Sequence, residues 1–180
     1  MLKSFWREWG RELLIALVLA LLIRAEVAEA RRVPTPSMVP TVQPGDRLLA
    51  EKLFYRFTGP NRGDIIVFLP PFEEEGTVLE QFLGLEEDYL KRVIGLPGDT
   101  VAVKGGKVIV NGEPLVEPYI QAPPNYVMQQ ITVPEGKLFV LGDNRNNSYD
   151  SHSWGLLDQS AVRSRAVFRF WPLNRMGLVK

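Results

Sequence analysis

The stretch V-A-V-K-G-G-K-V-I-V, residues 101–110, decides the fold class. Two β-branched runs flank K-G-G-K, which is typical of the tight turn of a β-hairpin. Similar strand-forming runs, bounded by Pro and Gly, lie at 47–55, 64–69, 137–141 and 161–171. In the last of these, small or apolar residues alternate with mostly polar ones, which predicts a strand with one buried face. The sequence therefore predicts a mainly β domain of antiparallel strands.

An apolar run of eleven residues, Leu13–Ile23, precedes this domain. The basic residues before the run place that end of a membrane segment in the cytoplasm. A helix that crosses a bilayer needs ~20 apolar residues, so the run alone is short. We predict that residues 1–30 form a cytoplasmic stub and a single-pass transmembrane anchor helix. Residues 31–180 would then form an extracytoplasmic β domain.

Two other interpretations of the apolar run stay open. A basic start, a short apolar stretch and the small-x-small sequence Ala28-Glu29-Ala30 also fit a signal peptide that is cleaved after Ala30. The run would alternatively be a buried helix of the globular domain. In the anchor and the signal-peptide cases, the rest of the chain lies outside the cytoplasm.

Charge and composition exclude several classes of function. The 21 basic and 21 acidic side chains balance, so the chain has no positive excess with which to bind nucleic acid. It has no Cys, and therefore no thiol nucleophile and no thiolate metal site. With a single His, His152, a zinc site would need mostly carboxylate ligands, which is rare. We therefore expect no metal and no cofactor.

A proline-rich segment, V-P-T-P-S-M-V-P-T at 33–41, holds the candidate nucleophile. Proline fixes its own φ and restricts the residue before it, so the segment is extended and exposes Thr35 and Ser37. The same composition also fits a stiff linker between the anchor and the β domain. Ser37 can act as a nucleophile only beside a base, because a serine hydroxyl alone is weak.

His152 is one candidate base for Ser37. Asp143 and Asp150 lie near it in the sequence and could orient it, as in a Ser-His-Asp triad. The chain has no G-x-S-x-G motif, however, and a lone His beside Asp and Ser is more often a hydrogen-bonding residue. The sequence therefore favours a different base.

Lys91 is the other candidate base. An exposed Lys has a pKa near ~10.4, but burial among apolar groups can lower that pKa by up to ~3–5. On a strand, Lys91 shares its face with Tyr89 and Val93, and no acidic residue lies on that face. Arg92 lies on the opposite face. The alternative is a solvated Lys-Arg pair on an edge strand.

Four blocks of sequence, in this order, resemble the type I signal peptidases. They are P-T-P-S-M-V-P-T (34–41), R-G-D-I-I-V-F (62–68), K-R-V-I-G-L-P-G-D (91–99) and G-D-N-R-N-N-S-Y-D-S (142–151). The resemblance implies the coiled antiparallel β-sheets of the signal peptidase fold, after one N-terminal transmembrane helix. It also implies a Ser/Lys dyad that works without a metal or cofactor.

The resemblance assigns a role to each matching residue. It implies that Ser37 attacks the scissile carbonyl to form an acyl-enzyme, and that Lys91 is the general base. The backbone N–H of Ser37 and the hydroxyl of Thr35 would form the oxyanion hole. Ser148 would hydrogen-bond and orient the Lys91 ammonium, while Asp150 supports the loop.

The resemblance also implies the substrate and the setting. The substrates would be exported preproteins, cut after small residues of the Ala-x-Ala type by a monomer at the cell membrane. The N-terminus would be cytoplasmic and the catalytic domain extracytoplasmic. Two rival functions stay open: a catalytically inactive, membrane-tethered peptide-binding module, and a soluble Ser/Lys self-cleaving peptidase.

Three positions depart from the usual pattern of that family. Thr35 stands where Ser is usual, Pro36 lacks a backbone N–H, and His152 stands where Arg is common. None of these changes removes a catalytic hydroxyl or amine. The His would make any ion pair with Asp150 depend on pH.

Overall fold

The computed structural model describes residues 2–22, 27–72 and 88–180. Helix α1, Leu2–Leu22, covers all but the last residue of the apolar run, so a helix at this position is confirmed. Within the described ranges, no helix has both the length and the apolar character that crossing a membrane requires.

Two antiparallel sheets make up the rest of the described chain. The strands, numbered along the chain, are β1 (Ala28–Arg32), β2 (Arg47–Glu51), β3 (Ile65–Phe68), β4 (Tyr89–Gly95), β5 (Thr100–Lys104), β6 (Lys107–Val110), β7 (Glu113–Pro114), β8 (Met128–Thr132), β9 (Lys137–Leu141), β10 (Leu157–Asp158), β11 (Val162–Trp171) and β12 (Gly177–Leu178). The other short elements are helices α2 (Leu53–Thr58) and α3 (Ser151–Trp154) and 3-10 turns at Gln159–Ala161 and Leu173–Arg175.

The order of the strands confirms a mainly β fold. In the described parts of the chain, one sheet has the order β1-β2-β11-β3-β4-β9-β10, with β12 also paired to β11. The other sheet has the order β7-β6-β5-β8. The K-G-G-K turn closes the β5–β6 hairpin, in which Val101 pairs with Val110, as predicted. In β11, Ser164 and Ala166 lie buried on the predicted inner face.

The structure differs from the predicted elements in two places. The run at 47–55 is a strand only as far as Glu51, whose carboxylate accepts the N–H of Tyr55 in α2. Strand β1 is absent from the predictions because its sequence, A-E-A-R-R, has no β-branched or aromatic residue. Pairing with β2 forms it instead.

Two further predictions concern residues at the borders of the described chain. The sheet includes Ala28-Glu29-Ala30, so the division after residue 30 and a cleavage there stay predictions. A capping box at Thr77 and Glu80 predicts a short helix. That helix lies outside the described residues.

The proline-rich segment packs onto the larger sheet. Met38 and Val42 are fully buried in an apolar cluster. The N–H of Val33 donates to the carbonyl of Asp46 at 3.0 Å, which closes the loop between β1 and β2. A solvated linker would make none of these contacts, so the linker interpretation of 33–41 is wrong.

Strand β4 lies in the interior of its sheet, with β3 on one side and β9 on the other. Lys91 and Arg92 are therefore buried, with exposed fractions of 3% and 2%. The alternative of a solvated pair on an edge strand is wrong, because both edges of β4 are occupied by backbone pairing.

Candidate active site

Ser37 and Lys91 meet inside the domain, although 54 positions separate them in the sequence. The Nζ of Lys91 lies 2.9 Å from the Oγ of Ser37. The β1–β2 loop carries the serine and the middle of β4 carries the lysine. Packing of that loop on the sheet therefore creates the pair, and the distance suits proton transfer between the two atoms.

Burial makes Lys91 a usable base. It lowers the pKa of Lys91 to about 8, while the negative charge of Asp150 acts in the opposite direction. Within the described chain, no carboxylate forms an ion pair with Nζ. The ring of Tyr89, on the same face of β4, lies 5.2 Å from Nζ. A substantial fraction of this amine is neutral slightly above neutral pH, unlike an exposed Lys.

Thr35 places a second hydroxyl beside the nucleophile. Its Oγ1 lies 3.2 Å from the Oγ of Ser37. The prediction that the whole segment is extended is wrong from Pro36 onward, because the chain turns there: the N–H of Val39 donates to the carbonyl of Pro36, and the N–H of Val42 to that of Met38. Pro36, between the two hydroxyl-bearing residues, has a fixed φ. Thr35 is exposed whereas Ser37 is buried, so the two hydroxyls span the border between solvent and the interior.

The loop that follows β9 holds the serine segment in place. The N–H of Asn144 donates to the carbonyl of Ser37 at 3.0 Å, and its side-chain amide donates to the carbonyl of Pro36 at 3.2 Å. Asp150, fully buried, accepts the N–H of Gly142 at 2.8 Å and so closes this loop on itself.

Similarity to known proteins identifies the family of the chain. Residues 6–171 match the family model described as signal peptidase, peptidase S26. The chain belongs to the signal peptidase family. It is 53% identical to "Signal peptidase I" of Leptolyngbya laminosa over 91% of this chain and 78% of that protein. It is 48% identical to "Probable signal peptidase I-2" of a Synechocystis strain over 98% of this chain and 78% of that protein.

A plant protein is also similar to this signal peptidase. "Probable thylakoidal processing peptidase 2, chloroplastic" of Arabidopsis thaliana is 40% identical over 98% of this chain, which covers 47% of the plant protein. Family membership makes the chain a peptidase of the signal peptidase I class, and favours an enzyme over an inactive binding module or a soluble self-cleaving peptidase.

The predicted hydrogen bond between Ser148 and Lys91 is not formed. Lys91 donates to Ser37 instead, and the Oγ of Ser148 is buried without a hydrogen-bond partner in the described chain. Ser148 nevertheless lies close to the nucleophile. A methyl group placed on Gly142 would overlap both its hydroxyl and the carbonyl of Ser37. Its role in orienting Lys91 stays a prediction.

Gly142→Ala is expected to lower both activity and stability of this signal peptidase. The added Cβ would overlap the Ser37 carbonyl and Ser148, so the loop must move and shift the nucleophile. Overpacking of this kind costs about 1–3 kcal/mol of unfolding free energy. Thermal unfolding and peptide cleavage measure the two effects. Gly177→Ala is the control, because its Cβ meets nothing within 4 Å. Equal behaviour of the two variants would contradict the prediction.

His152 is not brought to the nucleophile. Its Nδ1 lies 2.6 Å from the Oδ1 of Asp150, and its ring stacks on Tyr126 with centroids 4.2 Å apart. The carboxylate thus joins His152 to the loop that contains Gly142. The hypothesis of a Ser-His-Asp triad around Ser37 is therefore wrong, since Lys91 occupies the position beside the hydroxyl.

A buried ion pair behind the dyad was missed by sequence reasoning. Arg92 donates to Asp143 through Nε at 2.8 Å and Nη2 at 2.7 Å, and its guanidinium lies 3.9 Å from the ring centroid of Tyr119. Thr41 also donates to Asp143. The pair ties β4 to both the nucleophile loop and the loop after β9. The sequence feature that could have predicted this pair is the position of Arg92 directly after Lys91, on the opposite face of the same strand.

A second buried arginine holds the segment that contains Tyr119. Arg145 is 1% exposed, and its terminal nitrogens donate to both carboxylate oxygens of Glu117. Its Nε donates to the carbonyl of Gly142 at 3.0 Å. The loop after β9 is therefore anchored from two sides. Among the described residues, no group of three or more His, Asp or Glu side chains could hold a metal ion.

Proposed function

We propose that the protein is a membrane-bound serine endopeptidase that removes N-terminal signal peptides from exported preproteins, with Ser37 as nucleophile and Lys91 as general base. The observation that carries this proposal is the 2.9 Å contact between a buried lysine amine and a serine hydroxyl. Burial lowers the pKa of this amine, and membership of the signal peptidase family supplies the class of substrate.

In the first half of the reaction, neutral Lys91 takes the proton of the Ser37 hydroxyl while Oγ bonds to the scissile carbonyl carbon. The Lys91 ammonium then gives that proton to the leaving amine as the C–N bond breaks. An acyl-enzyme on Ser37 remains. In the second half, Lys91 takes a proton from water, whose oxygen attacks the ester carbonyl. The Lys91 ammonium then returns that proton to the Oγ of Ser37 as the ester C–O bond breaks, which regenerates both residues.

The negative oxygen of each tetrahedral intermediate needs donors that are already in place. The backbone N–H of Ser37 and the hydroxyl of Thr35 are the proposed donors, and the short distance between the two side chains supports this. Such donors matter because they meet charge that develops only in the transition state, each contributing roughly 3–4 kcal/mol.

Replacing the hydroxyl at position 35 is expected to slow the chemical step. Thr35→Val keeps the shape of the side chain but removes the donor, so kcat should fall ~10²–10³-fold with little change in KM. Thr35→Ser is the matched control and should keep most of the activity, because the hydroxyl remains. Steady-state kinetics on a signal-peptide substrate measures both. A Val variant as fast as wild type would remove Thr35 from the oxyanion hole.

Cleavage is expected to follow the neutral fraction of Lys91. Because its pKa lies at about 8, kcat/KM should rise with pH through that value and level off above it. Two pH units below the inflection, the rate should be roughly one-hundredth of the plateau. Asp150→Asn should move the inflection to lower pH, because the Asp150 charge raises the Lys91 pKa. A rate independent of pH over this range would contradict the assignment.

The substrate is proposed to bind as an extended strand beside the dyad, as peptides do at exposed sheet edges. Small residues, typically Ala, would occupy the first and third positions before the cut. Helix α1 would anchor the enzyme beside its substrates, with the N-terminus in the cytoplasm and the β domain on the other side. Sharing one membrane raises the effective concentration of enzyme and preprotein.

Cleavage of matched peptides tests the proposed function. One peptide carries Ala at the first and third positions before the cut, and the second carries Leu at both. Mass spectrometry of the products locates the cut bond. We expect cleavage of the first peptide after its Ala-x-Ala sequence and none of the second. Equal cleavage of both peptides, or of neither, would refute the proposed specificity.

A further inference from the structure

Three aromatic side chains that the proposed reaction does not use lie together beside the dyad. The ring of Phe72, which follows β3, meets the ring of Tyr89 edge-on, with centroids 5.7 Å apart. It also contacts the ring of Tyr149, in the loop after β9, at a centroid distance of 5.5 Å. Three separate parts of the chain thus supply one continuous surface. We call Phe72, Tyr89 and Tyr149 the aromatic patch.

The aromatic patch adjoins the dyad on two sides. The ring of Tyr89 lies 5.2 Å from the Nζ of Lys91. Tyr149 directly follows Ser148, and the Ser148 hydroxyl and the carbonyl of Ser37 both pack against the same glycine of the loop after β9. An extended peptide rises ~3.3 Å per residue, so a substrate bound at the dyad reaches the patch within about four residues of the cut.

Two members of the patch are open to solvent. Phe72 is 48% exposed and Tyr149 is 54% exposed, while Tyr89 is half-buried and also contacts Phe68. Single exposed apolar residues are ordinary on a protein surface, but here two exposed rings contact each other and one of them contacts a third ring. Aromatic rings that hold one another in place lose little conformational freedom when they bind, so they make effective anchor sites.

The size of the patch favours a peptide side chain as its occupant. An aromatic side chain buries at most ~150–250 Å², so three of them fall short of the ~1,200 Å² that a stable protein–protein interface buries. One aromatic or large aliphatic side chain, by contrast, covers a surface of this size. A peptide held at the dyad is the partner that brings such a side chain to the patch.

The small residues of the proposed cleavage sequence leave a need for such a contact. Ala at the first and third positions before the cut supplies little binding energy, because that energy scales with the apolar area that is buried. The methyl group of Ala is also too small to cover the rings of Phe72 and Tyr149. A further contact has to come from another residue of the substrate, and the patch offers apolar surface for it.

We propose that the aromatic patch is a specificity subsite that binds one aromatic or large aliphatic side chain of the substrate, outside the first and third positions before the cut. Phe72 and Tyr149 make the contact, and Tyr89 joins the subsite to the dyad. The subsite rests on the proposed function, because it requires that a peptide lies across Ser37 and Lys91.

A scan of matched peptides tests the subsite. Every peptide has Ala at the first and third positions before the cut, and Ser at the other positions from four before to four after it. In each scanning peptide, Phe replaces one of those Ser residues. With the full-length wild-type protein in detergent, we expect one Phe position at which kcat/KM exceeds that of the all-Ser reference about tenfold, mainly through a lower KM.

Ring variants show whether the aromatic patch causes that preference. Tyr149→Ala should lower the ratio of kcat/KM for the Phe peptide and the reference to below about twofold, because the apolar contact is lost. Tyr149→Phe keeps the ring and should keep the ratio. Phe57→Ala is the control: Phe57 is an exposed ring of α2 outside the patch, and its removal should change neither the ratio nor the rate on the reference. Thermal unfolding shows that each variant is folded.

The outcomes separate this inference from the proposed function. Cleavage of the reference without a preference for Phe at any scanned position overturns the subsite alone, and so does a preference that persists undiminished in Tyr149→Ala. Lack of cleavage of every peptide, the reference included, refutes the proposed function and the subsite with it. If Tyr149→Ala fails to fold, Phe72→Ala takes its place with the same expected loss of preference.

Discussion

Ser37→Ala is expected to abolish cleavage of a signal-peptide substrate, with a loss of at least ~10⁴-fold in kcat, because it removes the hydroxyl that is proposed to form the acyl-enzyme. The substitution removes one buried oxygen and leaves the loop packing of Met38 and Val42 in place. The folded state should therefore be retained. Cleavage by purified protein reconstituted in lipid measures the loss, and thermal unfolding shows that the variant is folded.

Ser160→Ala is the matched control for this experiment. Ser160 is exposed in the 3-10 turn before β11, and it takes no part in the hydrogen bonds that join Thr35, Ser37 and Lys91. Its variant should cleave at the rate of wild type. Comparable activity of Ser37→Ala and wild type would disprove the Ser/Lys mechanism while leaving the family assignment intact.

Lys91→Arg is expected to be as inactive as the serine variant, with a loss of at least ~10³-fold. The reason is chemical: a guanidinium keeps its proton at any working pH, whereas burial lowers the pKa of Lys91 to about 8. The variant conserves the positive charge and a long apolar stem. It therefore separates the role of a neutral base from the roles of charge and packing.

Lys104→Arg serves as the control for the lysine variant. Lys104 is exposed at the β5–β6 turn, where exchange of one cation for another should change nothing measurable. Cleavage rates across pH provide the second readout. If Lys91→Arg kept appreciable turnover with the wild-type inflection near pH 8, the base would have to be another group.

The loops around the dyad explain why its geometry is maintained. The Arg92–Asp143 pair and the Arg145–Glu117 pair are both buried, and both fix the loop that donates to the Ser37 carbonyl. Loss of one partner of such a pair leaves an unpaired buried charge, which is strongly destabilising. Two buried ion pairs therefore keep Ser37 and Lys91 in position, although neither pair takes part in the proposed reaction.

Local sequence patterns were sufficient to predict several secondary-structure elements. The K-G-G-K turn specifies its hairpin because both flanking runs favour strands and glycine tolerates the turn conformation. The alternation in β11 specified which of its faces is buried. The apolar run at the N-terminus likewise predicted the helix that the structure contains. These features depend on neighbours in the sequence, which a single chain displays directly.

Other features depended on contacts that no local pattern encodes. Strand β1 exists because β2 offers a free edge, and the strand at 47–55 stops where the Glu51 carboxylate captures an N–H of α2. The partners of Arg92 and Arg145 come from distant loops.

The sequence by itself determined the mainly β class, the candidate hydroxyl and amine, and through its four blocks the family. Only the tertiary structure decided whether Ser37 and Lys91 face each other. Their 2.9 Å contact depends on the loop folding over a central strand. The lowered pKa of Lys91 has the same origin, because desolvation is a property of the surroundings of a residue and not of its place in the chain.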